Sequence, residues 1–151
     1  MMVYRIAPTQ FANDLTGEGA RLFGGRWNHP GIACLYSSGS RALAVLEYSV
    51  NTGAAHIPPV LSIVTIDTGK VPILEIPESA LPPDWNATPA PASIKDFGSA
   101  IIRSSEKAII KIPSAIIPGE HNFLLNPAHP DARKFKILEL TDFHYDLRIK
   151  E

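Results

Sequence analysis

The chain holds a single cysteine, Cys34, among 151 residues. No intramolecular disulfide can form, and a lone thiol fits a reducing compartment, so the expected location is the cytoplasm. No apolar run approaches the roughly 18 residues that span a membrane, and the opening MMVYRIAPTQ lacks the basic-then-apolar pattern of a secretory signal. Neither sign of charge is in surplus: 14 Lys and Arg against 15 Asp and Glu leave a net charge of −1, with the cations scattered. Binding to nucleic acid phosphates needs clustered Lys and Arg, so no direct nucleic-acid partner is expected. The histidines, His29, His56, His121, His129 and His144, show neither H-x-x-x-H nor H-E-x-x-H spacing, and no metal site is expected. Ser114 lacks the G-x-S-x-G elbow of a hydrolase nucleophile, and Gly17 with Gly19 does not make a dinucleotide fingerprint.

What the chain does have is a hydrophobic fraction of 45% and 14 prolines. The first is enough for one buried core, and the length suits one domain over residues 1–151. Proline is barred from helix interiors and central ladder positions, so short strands with stiff connections are expected. Strands are read at 3–7 (VYRIA), 32–38, 59–67, 71–76, 107–113 and 134–140, from alternation or short apolar runs. Helices are read at 40–51, with Ser40 as N-cap, and at 93–106, started by Ser93 with Asp96 three residues on and weakened by Gly98. Residues 77–92 read as a Pro-rich surface connection, and 113–131 as loop. The order β-β-α-β-β-α-β-β points to an α+β fold, its strands mostly antiparallel in one sheet or a pair of sheets.

Two charged residues call for a reason. In the first long helix Leu43, Leu46, Glu47 and Val50 share one face at i, i+3, i+4 and i+7. A carboxylate among core-like positions either bends out to solvent or points into a cleft, since burying it unpartnered costs several kcal/mol. Arg26 lies in RLFGGRWNHPG, where two glycines leave the backbone open. This is either a plain surface turn or a place where guanidinium and backbone N–H groups meet an anion. Trp27 offers a flat apolar wall or a core side chain, and Tyr36 packs or stacks on a ring. Read from the residues alone, the chain holds an anion-binding arginine and a cleft carboxylate.

Taken in order, YRI, GGRWN with its glycine turn, LYSS, the helical LEYSV and IPSAIIPGEHNFLLNPAHP resemble the RES domain. This is the toxin family of Xre–RES toxin–antitoxin pairs, named for an arginine, a glutamate and a serine. The likeness spans about residues 3 to 140, and the three match Arg26, Glu47 and Ser114. It implies an ADP-ribosyltransferase-like fold with NAD, as substrate, in a cleft between two small mostly antiparallel sheets with flanking helices. It further implies cleavage of the nicotinamide–ribose bond, with ADP-ribose passed to water, inorganic phosphate or a protein. The alternative in a different class is a non-catalytic module that binds a nucleotide or a protein. The partner implied is an Xre-like antitoxin covering the cleft. Glu47 would stabilise the oxocarbenium-like centre, Arg26 clamp NAD, Tyr36 flank the nicotinamide, and Ser114 bond the nicotinamide side or orient Glu47. Trp27, Asn28, Asn122 and Asn126 would complete the NAD site, although Asn126, standing before a proline, also suits a turn.

Overall fold

The computed structural model describes residues 1–150. In chain order it comprises β1 (Met2–Pro8), α1 (Glu18–Phe23), β2 (Leu35–Ser38), α2 (Arg41–Asn51), β3 (Leu61–Asp67), β4 (Ile73–Glu75), α3 (Ala92–Ser104), β5 (Ile109–Pro113), β6 (His121–Leu125) and β7 (Lys136–Phe143). The fold is α+β, as expected. The strands form one seven-stranded sheet in the order β4-β5-β6-β2-β1-β3-β7. Every neighbouring pair is antiparallel except β4 and β5, which α3 links as the crossover that parallel strands require.

The expected two sheets are therefore one hydrogen-bonded sheet, but it is nearly divided. Strand β1 pairs with β3 along all seven of its residues, whereas it meets β2 at a single pair, Tyr4 opposite Ser38. One half is β4-β5-β6-β2, the other is β1-β3-β7, and the seam between them is open on either side of that pair.

Hydrophobic side chains pack on both faces. One face buries Val3, Ala7, Leu35, Val64, Ile66, Ile109, Phe123 and Leu125 beneath Phe135. The other buries Trp27, Cys34, Ile110, Ile112 and Leu124 under Ile94 and Ile102 of α3. Because β5 is covered on both sides, it reads as an apolar run rather than an alternation. Strand β6 forms where the sequence reads as loop. Its five residues lie between Pro118-Gly119 and Asn126-Pro127, so local turn signals outweigh propensity, and only pairing with β5 and β2 makes it a strand. Strand β2 starts at Leu35, not residue 32, because the Asn28 amide rather than a neighbouring strand takes the Ile32 carbonyl.

Helix α3 is capped differently from the expected box. It begins at Ala92 after Pro91, while the Ser93 hydroxyl bonds Asp84 (3.0 Å) and the Asp96 carboxylate bonds His29 (2.6 Å). Its glycine has a tertiary purpose. A Cβ on Gly98 would lie 2.0 Å from the Trp27 carbonyl oxygen and 3.0 Å from its Cα, so α3 can approach the GGRWN backbone only with glycine there. Helix propensity favours alanine by about 1 kcal/mol, but a clash with backbone on that scale outweighs it. Gly98→Ala is therefore expected to lose on the order of 3 kcal/mol, read as a lower urea midpoint with an unchanged slope.

Candidate active site

A cleft of about 770 Å³ opens over the seam, lined on its floor by Tyr4 and Ile6 of β1 and Tyr36, Ser37 and Ser38 of β2. Its walls come from α2, from residues 23–27, and from Thr88, Pro89 and Ala90. Arg26, Trp27, Tyr36, Glu47 and Asn122 all line it, so elements scattered over nearly a hundred residues converge.

Glu47 is placed by α2, whose start is set by the expected Ser40 cap, its Oγ accepting the Leu43 N–H at 3.1 Å. The helix does not bury the face read from its spacing. Leu43 is buried, but Leu46 is 36% and Val50 57% exposed, and the inward side runs instead through Ala44, Glu47, Tyr48 and Asn51. The helix covers an open seam rather than a full core, so its inward face is narrower and more polar than a core stripe. Glu47 is half-buried there and already partnered. Its Oε1 accepts from the Ser114 hydroxyl (2.9 Å) and from Asn122 Nδ2 (2.6 Å).

Both donors are themselves fixed. Ser114 Oγ accepts the N–H groups of Ile116 and Ile117, each at 3.1 Å, so its one proton is committed to Glu47. Asn122 Oδ1 accepts from Ser38 Oγ at 2.7 Å, which turns the amide nitrogen toward the carboxylate. Among the described residues Glu47 Oε2 accepts no hydrogen bond, so one oxygen is held and the other is left to the cleft. Ser114 touches Glu47 from behind and does not line the cleft.

The GGRWN segment is a tight turn closed by Gly25 N–H to the Asn28 carbonyl (3.1 Å). Tyr36 anchors it: its hydroxyl donates to Asn28 Oδ1 (2.5 Å) and accepts the Trp27 N–H (3.0 Å). Burial pushes the phenol well above its ordinary pKa, so it keeps the proton it donates. A Cβ on Gly25 would lie 2.6 Å from that hydroxyl, which accounts for the second glycine of the pair. Asn28 is wholly buried, its amide donating to the carbonyls of Ala20 (2.9 Å), His29 (3.2 Å) and Ile32 (3.0 Å). Asn126 is likewise consumed inside the fold, bonding Ile102, Ser105 and the Ala128 N–H. Neither lines the cleft.

Arg26 makes no ion pair with Glu47. Its Nη1 donates to the carbonyls of Ala87 (2.9 Å) and Trp85 (3.3 Å), which leaves most of its five N–H donors for the cleft. Those carbonyls belong to the Pro-rich connection read as surface. Instead Trp85 is buried, 6.4 Å from the Trp27 ring between centroids, and the connection forms a wall.

Two further cations line the cleft unannounced by motif. Lys95 of α3 donates to the Gly25 carbonyl. Arg5 of β1 reaches the Asp14 carbonyl at 3.2 Å, and burial lowers its pKa while Asp14 partly offsets this. The signal for Arg5 is a charge centred in the apolar strand VYRIA. Nothing local marks Lys95, an ordinary lysine on an amphipathic helix. Among the described residues no group of His, Cys, Asp and Glu is arranged to hold a metal ion, and no helix is long and apolar enough to cross a membrane.

The chain matches the RES domain model over residues 2–148. It is 41% identical over 147 residues to the Prs ADP-ribosylating toxin of Sphingobium sp. (strain YBL2), covering 95% of this chain and 91% of that one. It is 33% identical over 152 residues to Toxin Res of Yersinia enterocolitica, covering 99% of this chain and all of that one. In fold it is similar to a chain in the crystal structure of the M. tuberculosis MbcT–MbcA toxin–antitoxin complex, with a TM-score of 0.77 at 21% identity over 95% of this chain and 84% of that one. With the RES domain model matching residues 2–148 and relatives at 33–41% identity running almost end to end, the chain belongs to the RES domain family.

Proposed function

We propose that the protein is the toxin of a toxin–antitoxin pair and that its cleft binds NAD and breaks the nicotinamide–ribose bond. The observation that carries this is the carboxylate of Glu47, one oxygen gripped by two donors and the other free, across a cleft whose remaining charges, Arg5, Arg26 and Lys95, are all cationic. A dinucleotide matches that layout. Its pyrophosphate is anionic and suits the guanidinium groups, while its reacting ribose becomes cationic as nicotinamide leaves.

In the reaction the C1′–N bond breaks and its electron pair stays on the nicotinamide nitrogen, which departs neutral. C1′ is left oxocarbenium-like, and Glu47 Oε2 stabilises that charge or holds a ribose hydroxyl. The acceptor oxygen then bonds C1′ and gives up its proton. Arg26 clamps the pyrophosphate or adjoining ribose against the carboxylate. Trp27 and Tyr36 wall the site, with Tyr36 flanking the nicotinamide. Ser114 and Asn122 orient Glu47, while Asn28 holds the turn that carries Arg26 from within the fold; Asn126, bonded to Ile102, Ser105 and Ala128, has no part in the site.

The acceptor proposed is water or inorganic phosphate. Transfer to a protein is the second reading, supported by the relative named as a Prs ADP-ribosylating toxin. The partner proposed is an Xre-like antitoxin that covers the cleft in the cytoplasm, consistent with relatives named Toxin Res and a structural neighbour crystallised with its antitoxin.

Incubating the purified chain with NAD, with and without phosphate, and separating products by chromatography tests this. Nicotinamide release is expected, with ADP-ribose marking hydrolysis and ADP-ribose 1″-phosphate marking phosphorolysis. Glu47→Gln is expected to fold normally and lose about 10²–10³-fold in kcat; full turnover in that variant would remove Glu47 from the mechanism. Arg26→Lys, which keeps charge but not the fork, is expected to raise KM for NAD about tenfold with a smaller change in kcat. Ser114→Ala strands two N–H groups and frees one side of Glu47, so a stability loss of roughly 1–3 kcal/mol should accompany slower turnover.

A further inference from the structure

Apart from the Asn51 amide, which donates back to the Glu47 carbonyl (2.8 Å), the helix that carries Glu47 has no C-terminal device of its own. It ends at Asn51 without a glycine in the left-handed region, since Thr52 is extended (φ −122°, ψ 124°), and its last turn holds no basic residue. The final carbonyls of such a helix need partners from elsewhere, and a cation there also meets the negative end of the helix dipole.

The partners come from residues 144–150, about a hundred positions away. Lys150 Nζ donates to the carbonyls of Ser49 (2.5 Å) and Thr52 (2.6 Å). The Tyr145 hydroxyl donates to Ser49 Oγ at 2.7 Å, and that oxygen donates in turn to the Val45 carbonyl at 2.7 Å. Ser49 is buried, so the relay lies inside the packing rather than on the surface. The Tyr145 ring is braced edge-on against Phe143 of β7, 6.4 Å between centroids. The far end of α2 is thus tied to the edge strand of the β1-β3-β7 half. Its first turn rests on the seam, where Arg41 lies 4.5 Å over the Tyr4 ring. Glu47 sits between the two anchors, while its partners Ser114 and Asn122 belong to the β5-β6 side.

We infer that Tyr145 and Lys150 are positioning residues for Glu47: they hold the last turn of α2 so that the carboxylate meets its two donors and keeps Oε2 toward the cleft. The inference rests on Glu47 being the reacting carboxylate. A misplacement of about 1 Å at such a group can cost up to about a hundredfold in rate, and a clamp that is lost only in part should cost less. The chemical step should suffer while NAD binding, which depends on the cations of the opposite wall, should not.

The test uses the full chain with Lys150→Met, Lys150→Arg and Tyr145→Phe, and with Leu147→Ser as a control in the same segment whose side chain is exposed. Lys150→Met is expected to speed amide exchange at residues 48–52, to lower kcat for nicotinamide release about tenfold and to leave KM within about twofold. Lys150→Arg, which still reaches two carbonyls, should restore most of kcat. Tyr145→Phe should fall between, and Leu147→Ser should match the wild type. Exchange is read without NAD, so unchanged exchange in Lys150→Met overturns the clamp whatever the substrate. Faster exchange with unchanged kcat, or a loss carried by KM, overturns the positioning role. A wild-type chain inert toward NAD overturns the reading of Glu47 itself, and with it the positioning role, while the exchange result still reports whether α2 is held there.

Discussion

Among the described residues Tyr4 opposite Ser38 is the only register pair between the two halves of the sheet, and much of the site hangs on it. A fully zipped β1–β2 ladder would close the floor and leave no cleft. No contact at all would let the halves drift. With one pair, the strands stay joined while the seam opens beside it. The same two residues reach both ends of the carboxylate's support. Ser38 fixes the Asn122 amide that grips Glu47, and Tyr4 lies beneath Arg41 at the start of the Glu47 helix. Each bond is worth only about 1 kcal/mol, yet together they set one carboxylate in place.

The opposite wall is built by close approach rather than by ion pairs. Gly98 lets α3 meet the Trp27 backbone, and Gly25 lets the turn meet the Tyr36 hydroxyl. Buried Asn28 ties the turn to the carbonyls of Ala20 and Ile32 on either side of it. Arg26 rides on that framework, steadied by two carbonyls and, among the described residues, without a carboxylate partner. The arrangement keeps its charge unneutralised, which suits a group meant for an anion. Burial of Arg5 at the same seam costs free energy that, among the described residues, one carbonyl and the Asp14 charge offset.

Much of this is legible in the sequence because it is local. GGRWN announces a tight turn with an exposed cation, Ser40 announces the start of a helix, and the apolar runs announce β3 and β5. Arg26, Trp27, Tyr36, Glu47 and Asn122 stand out as candidates because their residue types and order match a family pattern, and the cleft does gather them. Other features arise from no local signal. HNFLL becomes a strand through its neighbours on both sides, and Trp85 turns a Pro-rich connection into a wall by packing on Trp27.

The sequence by itself determined composition, the α+β class, most element positions and the chemistry on offer, since those depend on residues within a turn or two of one another. The tertiary structure alone decided that two expected sheets are one sheet with a seam, and that the inward face of α2 runs through Ala44, Glu47 and Asn51 rather than Leu46 and Val50. It also decided that Arg5 and Lys95 join the cleft, and that Lys150 ends a helix begun near residue 41. The reason is the same each time. A helix buries whichever side meets an apolar surface, and a carbonyl accepts from whichever donor the fold carries to it, and both are settled by partners far away along the chain.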